Sequence, residues 1–279
     1  MPVTIKTQHL NLDQIARSGQ CFSWLPLGEG RYGIPSAGRY VQASQQGERL
    51  TLSCDQKELD EYWRAYFDLD TDYGAFIRRI SKRDTGLMKA ARYGAGIRIL
   101  RQDLWEVMVS FLISQNNNIP RITGCLNRLR QRYGRPLPEA PEGLRAFPLP
   151  DEMAGAPVEE FTALGLGYRA KYLFKLVDQM KDGGLAGFAA SLDGQKDDEV
   201  RQALTSLYGV GKKVADCIGL FGLHRLDMFP VDTHILSVLA RQYPDGFPQD
   251  LYRGCRGVMQ QYWFYYDLAA PSGDQSQAG

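Results

Sequence analysis

Two lysines, Lys212 and Lys213, directly follow a Gly-Val-Gly turn in the run LYGVGKKVADC, Leu207 to Cys217. An amine is a nucleophile only without its proton, and both the positive end of a helix and partial burial favour the neutral form. A lysine where a helix begins is therefore poorly placed as a simple cation and well placed for covalent chemistry. A carboxylate, Asp232, follows in the segment PVDTH. A nucleoside triphosphate loop is a poor fit, because it needs G-x-x-x-x-G-K-[ST]. Here Ser206 stands five residues before Gly211, and Lys213 occupies the hydroxyl position.

These groups need elements that bring them together. A Gly-hydrophobic-Gly turn between two helices lets backbone N–H groups approach a phosphate, through Gly209 and Gly211 here. Such a hairpin grips a DNA backbone without reading sequence. If a helix runs from Lys213 to Leu223 it is ~16 Å long at ~1.5 Å per residue. The residues His224 to Val231 can span ~26 Å at ~3.3 Å each, enough to return Asp232 to the hairpin. Asp232 also stands where it would cap the helix THILSVLARQY, one oxygen capping while the other faces the site.

The rest of the chain divides into two. Short β-prone runs (QCFSWLPL, RYGIPSAGRYVQASQ, RLTLSC) are split by GEG and QQGE turns, which predicts an antiparallel sheet over residues 1–73. Helical periodicity takes over from about Glu58. DLWEVMVSFLISQ and IPRITGCLNRLRQRYG are amphipathic, with Asn116, Asn117 and Asn118 between them as caps or turn formers. The fold class is therefore α+β: a small sheet domain, then a helical body over 74–270 with the hairpin at about 200–223, and a polar tail, 271–279, expected to fray. From Phe76 to Pro136 thirteen Lys or Arg face three acids, which suggests one basic surface for phosphates. The five cysteines are dispersed with no C-x-x-C pair, which argues for idle thiols in a reducing compartment.

LxGVGxKxAD followed by PVDTH resembles the helix-hairpin-helix DNA glycosylase superfamily, and within it the 8-oxoguanine DNA glycosylases. The resemblance also takes in SGQCFSW, QNNNIPRITG, LGLGYRAKYL and QQYWFYYDL, in the family's order. It implies that Lys213 is the nucleophile, Asp232 the catalytic aspartate, and Lys212 an accessory charge. Gly19, Cys217, Gln260 and Phe264 would form the lesion-base pocket, the Gly19 carbonyl accepting the N7–H that guanine lacks. Asn116, Arg121, Tyr168 and Arg169 would fill the vacated space and contact the orphaned cytosine. His234 would contact the phosphate beside the flipped nucleotide. The resemblance implies a bifunctional glycosylase and lyase acting on 8-oxoguanine in double-stranded DNA, as a monomer, without catalytic metal or organic cofactor, with a structural monovalent cation at the hairpin as an option.

One departure matters: mammalian members carry an arginine just after the Asp-Leu pair, where this chain has Asp267-Leu268-Ala269. That arginine helps read the opposite cytosine, so relaxed opposite-base preference is expected. The absence of a basic import tail suggests a prokaryotic member acting at the nucleoid. No secretory signal, no run of 18 apolar residues and no closing cysteine quartet are present, so an intracellular location without membrane or iron–sulfur cluster is expected. Two other readings stay open here: a monofunctional glycosylase for another damaged purine, and a non-enzymatic hairpin module that only binds DNA.

Overall fold

The structure, a computed structural model, describes residues 1–269. The tail expected to fray lies outside the described residues. Strands β1 (Val3–Lys6), β2 (Leu25–Pro26), β3 (Arg31–Ser36), β4 (Arg39–Gln46) and β5 (Arg49–Leu52) form one antiparallel sheet in the order β1-β5-β4-β3-β2. Register pairs Ile34 with Val41 and Ala43 with Leu52. Because strand side chains alternate in direction, these residues share one buried face with Leu50. Trp24, Trp63, Tyr66 and Phe67 complete that core, with Trp24 Nε1 donating to the Tyr66 hydroxyl at 2.8 Å.

A helix inside this region, Leu12–Arg17, has too few residues to show a helical period in the sequence. Asn11 caps it by accepting from the Gln14 N–H, and Leu12 and Ile15 dock it on the sheet core.

At the centre of the helical body lies Leu104–Ser114, buried over most of its circumference. Such an all-apolar helix is stable only when surrounded. Ile119–Tyr133, Arg169–Met180 and Lys212–Phe221 pack on it. The last helix, Arg256–Ala269, packs instead on Thr85–Tyr93 and Thr233–Gln242. The two groups share one apolar core, and residues of both line one cavity. All five cysteines are buried and unpaired. No helix among the described residues is long and apolar enough to cross a membrane.

The basic run does not form the single phosphate surface that its composition suggests. Arg98 and Arg130 are buried. Arg78, Arg101, Arg132 and Arg135 pair with acids, and Arg79 and Arg128 hold backbone carbonyls. Much of this charge is consumed in fastening one segment to another, which composition cannot distinguish from a solvated face.

The two cores are joined through Asp68. Its buried carboxylate accepts from the Tyr73 hydroxyl at 3.0 Å and from Arg101 Nε and Nη2 at 3.1 Å. His224 Nε2 lies 3.3 Å away, at ion-pair distance without good hydrogen-bond alignment. Arg98 meanwhile donates to the carbonyls of Gln8, His9, Asp68 and Thr71. Burial alone would raise the Asp68 carboxyl, but His224 and then Arg101 hold it at about 2. A depressed carboxylate contributes stability above its unfolded value, and that contribution is lost as the pH falls through the folded one. Asp68→Asn is therefore expected to be less stable by about 2 kcal/mol near pH 7, because the Arg101 guanidinium and the Tyr73 hydroxyl lose the carboxylate charge they meet. Urea unfolding should show the gap to the unmodified protein narrowing between about pH 4 and pH 2.

Candidate active site at the hairpin cleft

The hairpin consists of Asp197–Thr205, a turn, and Lys212–Phe221. Arg201 Nε reaches Asp216 Oδ1 at 2.7 Å and clips the two helices together. In the turn, Gly209 has φ +84°, and a Cβ there would lie 2.4 Å from the Tyr172 ring. Only glycine fits. Gly211 is the N-cap residue, and Lys212 and Lys213 are the first two helical residues, as the spacing predicts.

The two lysines differ in setting. Lys212 is exposed and Lys213 partly buried. Lys213 Nζ sits 5.5 Å from the centroid of the Phe111 ring, and that ring is stacked on Phe221 and edge-on to Phe22. One helical turn beyond lies Cys217. Burial pushes its thiol up to about 11, against the pull of the Lys213 charge and hydrogen bond. Cys217 is thus a neutral thiol at ordinary pH and no rival nucleophile.

Asp232 caps Thr233–Gln242, Oδ1 accepting from the Ile235 N–H at 2.9 Å. It faces the same cavity as Lys213, a space of about 910 Å³ also lined by Gly19, Phe111, Asn116, Gly211, His234 and Phe264. Behind it is a recess of about 40 Å³, bounded by Gly19, Lys213, Cys217, Asp232, Gln260 and Phe264 among others. That volume suits a few waters but no purine. Gly19 has φ +72°, and a Cβ there would lie 2.9 Å from Phe264 Cε1. Gln260 is buried, donating from Nε2 to the Pro230 carbonyl at 3.1 Å while its Oε1 accepts from Gln261.

His234 lies edge-on to Phe264. Its Nδ1 is 2.9 Å from Asp267 Oδ2, and Arg241 donates to Asp267 Oδ1 at 2.6 Å. A carboxylate only accepts, so Nδ1 carries the proton in this contact.

Around the rim, Asn116 is exposed at φ +47° and Asn118 caps Ile119–Tyr133. Tyr168 is half exposed, its hydroxyl 3.3 Å from the Gln115 carbonyl. Arg121 is exposed in the first turn of its helix. Arg169 differs from its expected place at an orphaned base. It is buried, and its guanidinium donates to the carbonyls of Gln115, Asn116 and Leu166. The cause is local: the loop has three asparagines, and with Asn116 in the left-handed region its carbonyls need an internal donor. Of the residues named from sequence, Arg121, Tyr168, Arg169 and Gly209 stand outside the cavity lining, and Cys217 and Gln260 reach only its rear recess.

Three supporting residues were not legible. Gln115 Nε2 donates to the Gly209 carbonyl at 2.9 Å and so ties the asparagine loop to the hairpin. Asp267 orients His234, and Phe111 backs Lys213. Their partners lie far away in sequence, so spacing carries no trace of them. Of the hairpin carbonyls, Leu207 O accepts from Val210 N and Gly209 O from Gln115. Replacing Arg169 by Met should free the loop: amide exchange at 115–118 is expected to rise at least about tenfold, while Arg256–Ala269 keeps its protection.

Residues 2–108 match the 8-oxoguanine DNA glycosylase N-terminal domain, and residues 109–246 match the HhH-GPD superfamily of base excision DNA repair proteins. The N-glycosylase/DNA lyase OGG1 of Arabidopsis thaliana is 32% identical over 247 residues, 85% of this chain and 67% of that one. The N-glycosylase/DNA lyase of Saccharomyces cerevisiae is 40% identical over 160 residues, 53% of this chain, which spans only 42% of that relative. The Clostridium acetobutylicum 8-oxoguanine glycosylase/lyase, solved with double-stranded DNA containing cytosine opposite 8-oxoG, superposes with a TM-score of 0.85 at 32% identity, covering 96% of this chain and 97% of that one. Both matched regions contribute to one cavity, the first through Gly19 and the second through Lys213 and Asp232: the chain belongs to the 8-oxoguanine DNA glycosylases of the HhH-GPD superfamily.

Proposed function

We propose that the protein flips 8-oxoguanine out of double-stranded DNA, excises it with Lys213, and then nicks the strand. One observation carries this reading: an amine at a helix N-terminus and a carboxylate at a second helix N-cap line one cavity, beside a recess walled by Gly19 and Phe264. In the first step the Lys213 Nζ lone pair attacks C1′, and the glycosidic bond breaks with its electrons leaving on the base. Asp232 stabilises the positive charge that builds on the sugar as that bond lengthens. Ring opening gives an imine between Nζ and C1′. Loss of a C2′ proton then expels the 3′ phosphate by β-elimination, and hydrolysis of the imine returns the amine.

The damaged base is selected at the recess. Gly19 would offer its carbonyl to the N7 hydrogen of 8-oxoguanine, where guanine presents a lone pair. Among the described residues no hydrogen bond ends on that carbonyl. Because the recess is too small for a purine, the Phe264 ring moves to admit one and then stacks on it. Gln260 exchanges its bond to Pro230 for the Watson–Crick edge. Cys217 forms the opposite wall. Asn116 fills the gap left in the duplex, Tyr168 wedges beside it, and Arg121 reads the orphaned cytosine. Arg169 acts through the loop that it holds. His234, steadied by Asp267, contacts phosphate, as do the backbone amides of the Gly209–Gly211 turn. Residue 269 being alanine, the opposite base is read with fewer donors, and preference for cytosine is weak.

Single-turnover assays on duplexes with 8-oxoguanine opposite each of the four bases test this. Lys213→Gln is expected to lose about 10³-fold or more in excision, and Asp232→Asn about 10²-fold. Binding without excision by the unmodified protein would point instead to a hairpin module. Excision that survives Lys213→Gln would mean attack by water. Rates for the four opposite bases are expected within about tenfold of one another, one factor of ten being about 1.4 kcal/mol. Strict selectivity for cytosine would contradict the role given to Ala269.

A further inference from the structure

The turn that presents Gly19 has no regular structure of its own, and glycine at φ +72° is the residue least able to hold a peptide plane by itself. The neighbour on its C-terminal side supplies what it lacks. Gln20 is 1% exposed, although it carries a carboxamide. Its Nε2 donates to the Arg98 carbonyl at 2.9 Å and to Ser18 Oγ at 2.8 Å, and its Oε1 accepts from the Leu100 N–H at 2.9 Å. Its own carbonyl accepts from Gln102 Nε2 at 2.9 Å. Ser18, on the other side, donates its hydroxyl to the Ile15 carbonyl at 2.8 Å. Both flanks of Gly19 are therefore tied down. The segment to which they are tied, residues 98–102, is itself held by the buried Arg98 guanidinium on four carbonyls.

The Gly19 carbonyl belongs to the peptide that enters Gln20. Anchoring Gln20 at its carboxamide and at its carbonyl therefore sets the direction of that C=O. We propose that Gln20 is the positioning residue for lesion selection: its buried carboxamide aims the Gly19 carbonyl, and the preference for 8-oxoguanine depends on that aim. The inference rests on the role given above to the Gly19 carbonyl. Hydrogen bonds weaken steeply with misalignment, and a misplacement of about 1 Å can cost about 10²-fold in rate. A carboxamide with three partners, on a rigid segment, suits such a demand better than an apolar side chain of equal size.

Gln20→Met keeps the length and removes every polar atom. Two reactions are compared by single turnover: excision of 8-oxoguanine, and β-elimination at a pre-formed abasic site, which needs Lys213 but no base pocket. Excision is expected to fall about 10- to 100-fold, and at least about tenfold more than abasic-site cleavage. Gln102→Leu, which removes only the bond to the Gln20 carbonyl, is expected to give a smaller shift in the same ratio, and it keeps the test open if Gln20→Met does not fold. An equal fall in both reactions, or no change in their ratio for either variant, would overturn the proposal. The unmodified protein run in parallel separates the two levels: its failure to excise 8-oxoguanine while cleaving abasic sites refutes the role given to Gly19 and the function assigned above.

Discussion

Two helices begin at one cavity, and the site depends on that convergence. Lys212–Phe221 starts from Gly211 and Thr233–Gln242 from Asp232, so both direct their positive ends toward the same space. This field suits a polyanion, and it sets an amine and a carboxylate facing one cavity without either helix bending. The convergence is maintained from behind by apolar packing: Phe111 lies beneath Lys213 and stacks on Phe221, at the far end of the lysine helix. Until a base enters, Gln260 supports it from the side by holding the Pro230 carbonyl, two residues before Asp232.

The sheet domain contributes only Gly19 and Phe22 to the cavity lining, yet under the proposed lesion selection the Gly19 turn has to be placed to within the tolerance of a hydrogen bond. This is why the junction between the two cores is polar and densely bonded rather than merely apolar. Asp68, Arg98, Arg101 and His224 form a directional joint, and a directional joint fixes orientation where apolar contact alone fixes only proximity. The chain thereby invests buried charge in geometry, at a desolvation cost that apolar packing would avoid.

Much of this was readable from local patterns. The helix start at Gly211, the cap at Asp232, the asparagine turn and the antiparallel sheet all follow from spacing and residue type. Asp232 indeed caps with one oxygen while lining the cavity. What was not readable depends on long-range pairing. The basic run looked like one surface because sequence does not show that Arg130 meets Glu106 or that Arg79 meets Leu251 and Arg253. Arg169 looked like a base reader because its service to the Gln115 and Asn116 carbonyls spans more than fifty residues. Asp267, Gln115 and Gln20 escaped for the same reason, and Leu12–Arg17 because one and a half turns show no period.

The central claim is that Lys213, and not its neighbour Lys212, makes the covalent bond. Borohydride reduction during reaction with an 8-oxoguanine duplex, followed by digestion and mass mapping of the adduct, tests it directly. The account expects the reduced sugar on the Lys213 side chain, with Lys212 unmodified. An adduct on Lys212, or excision with no trapped adduct at all, would contradict it.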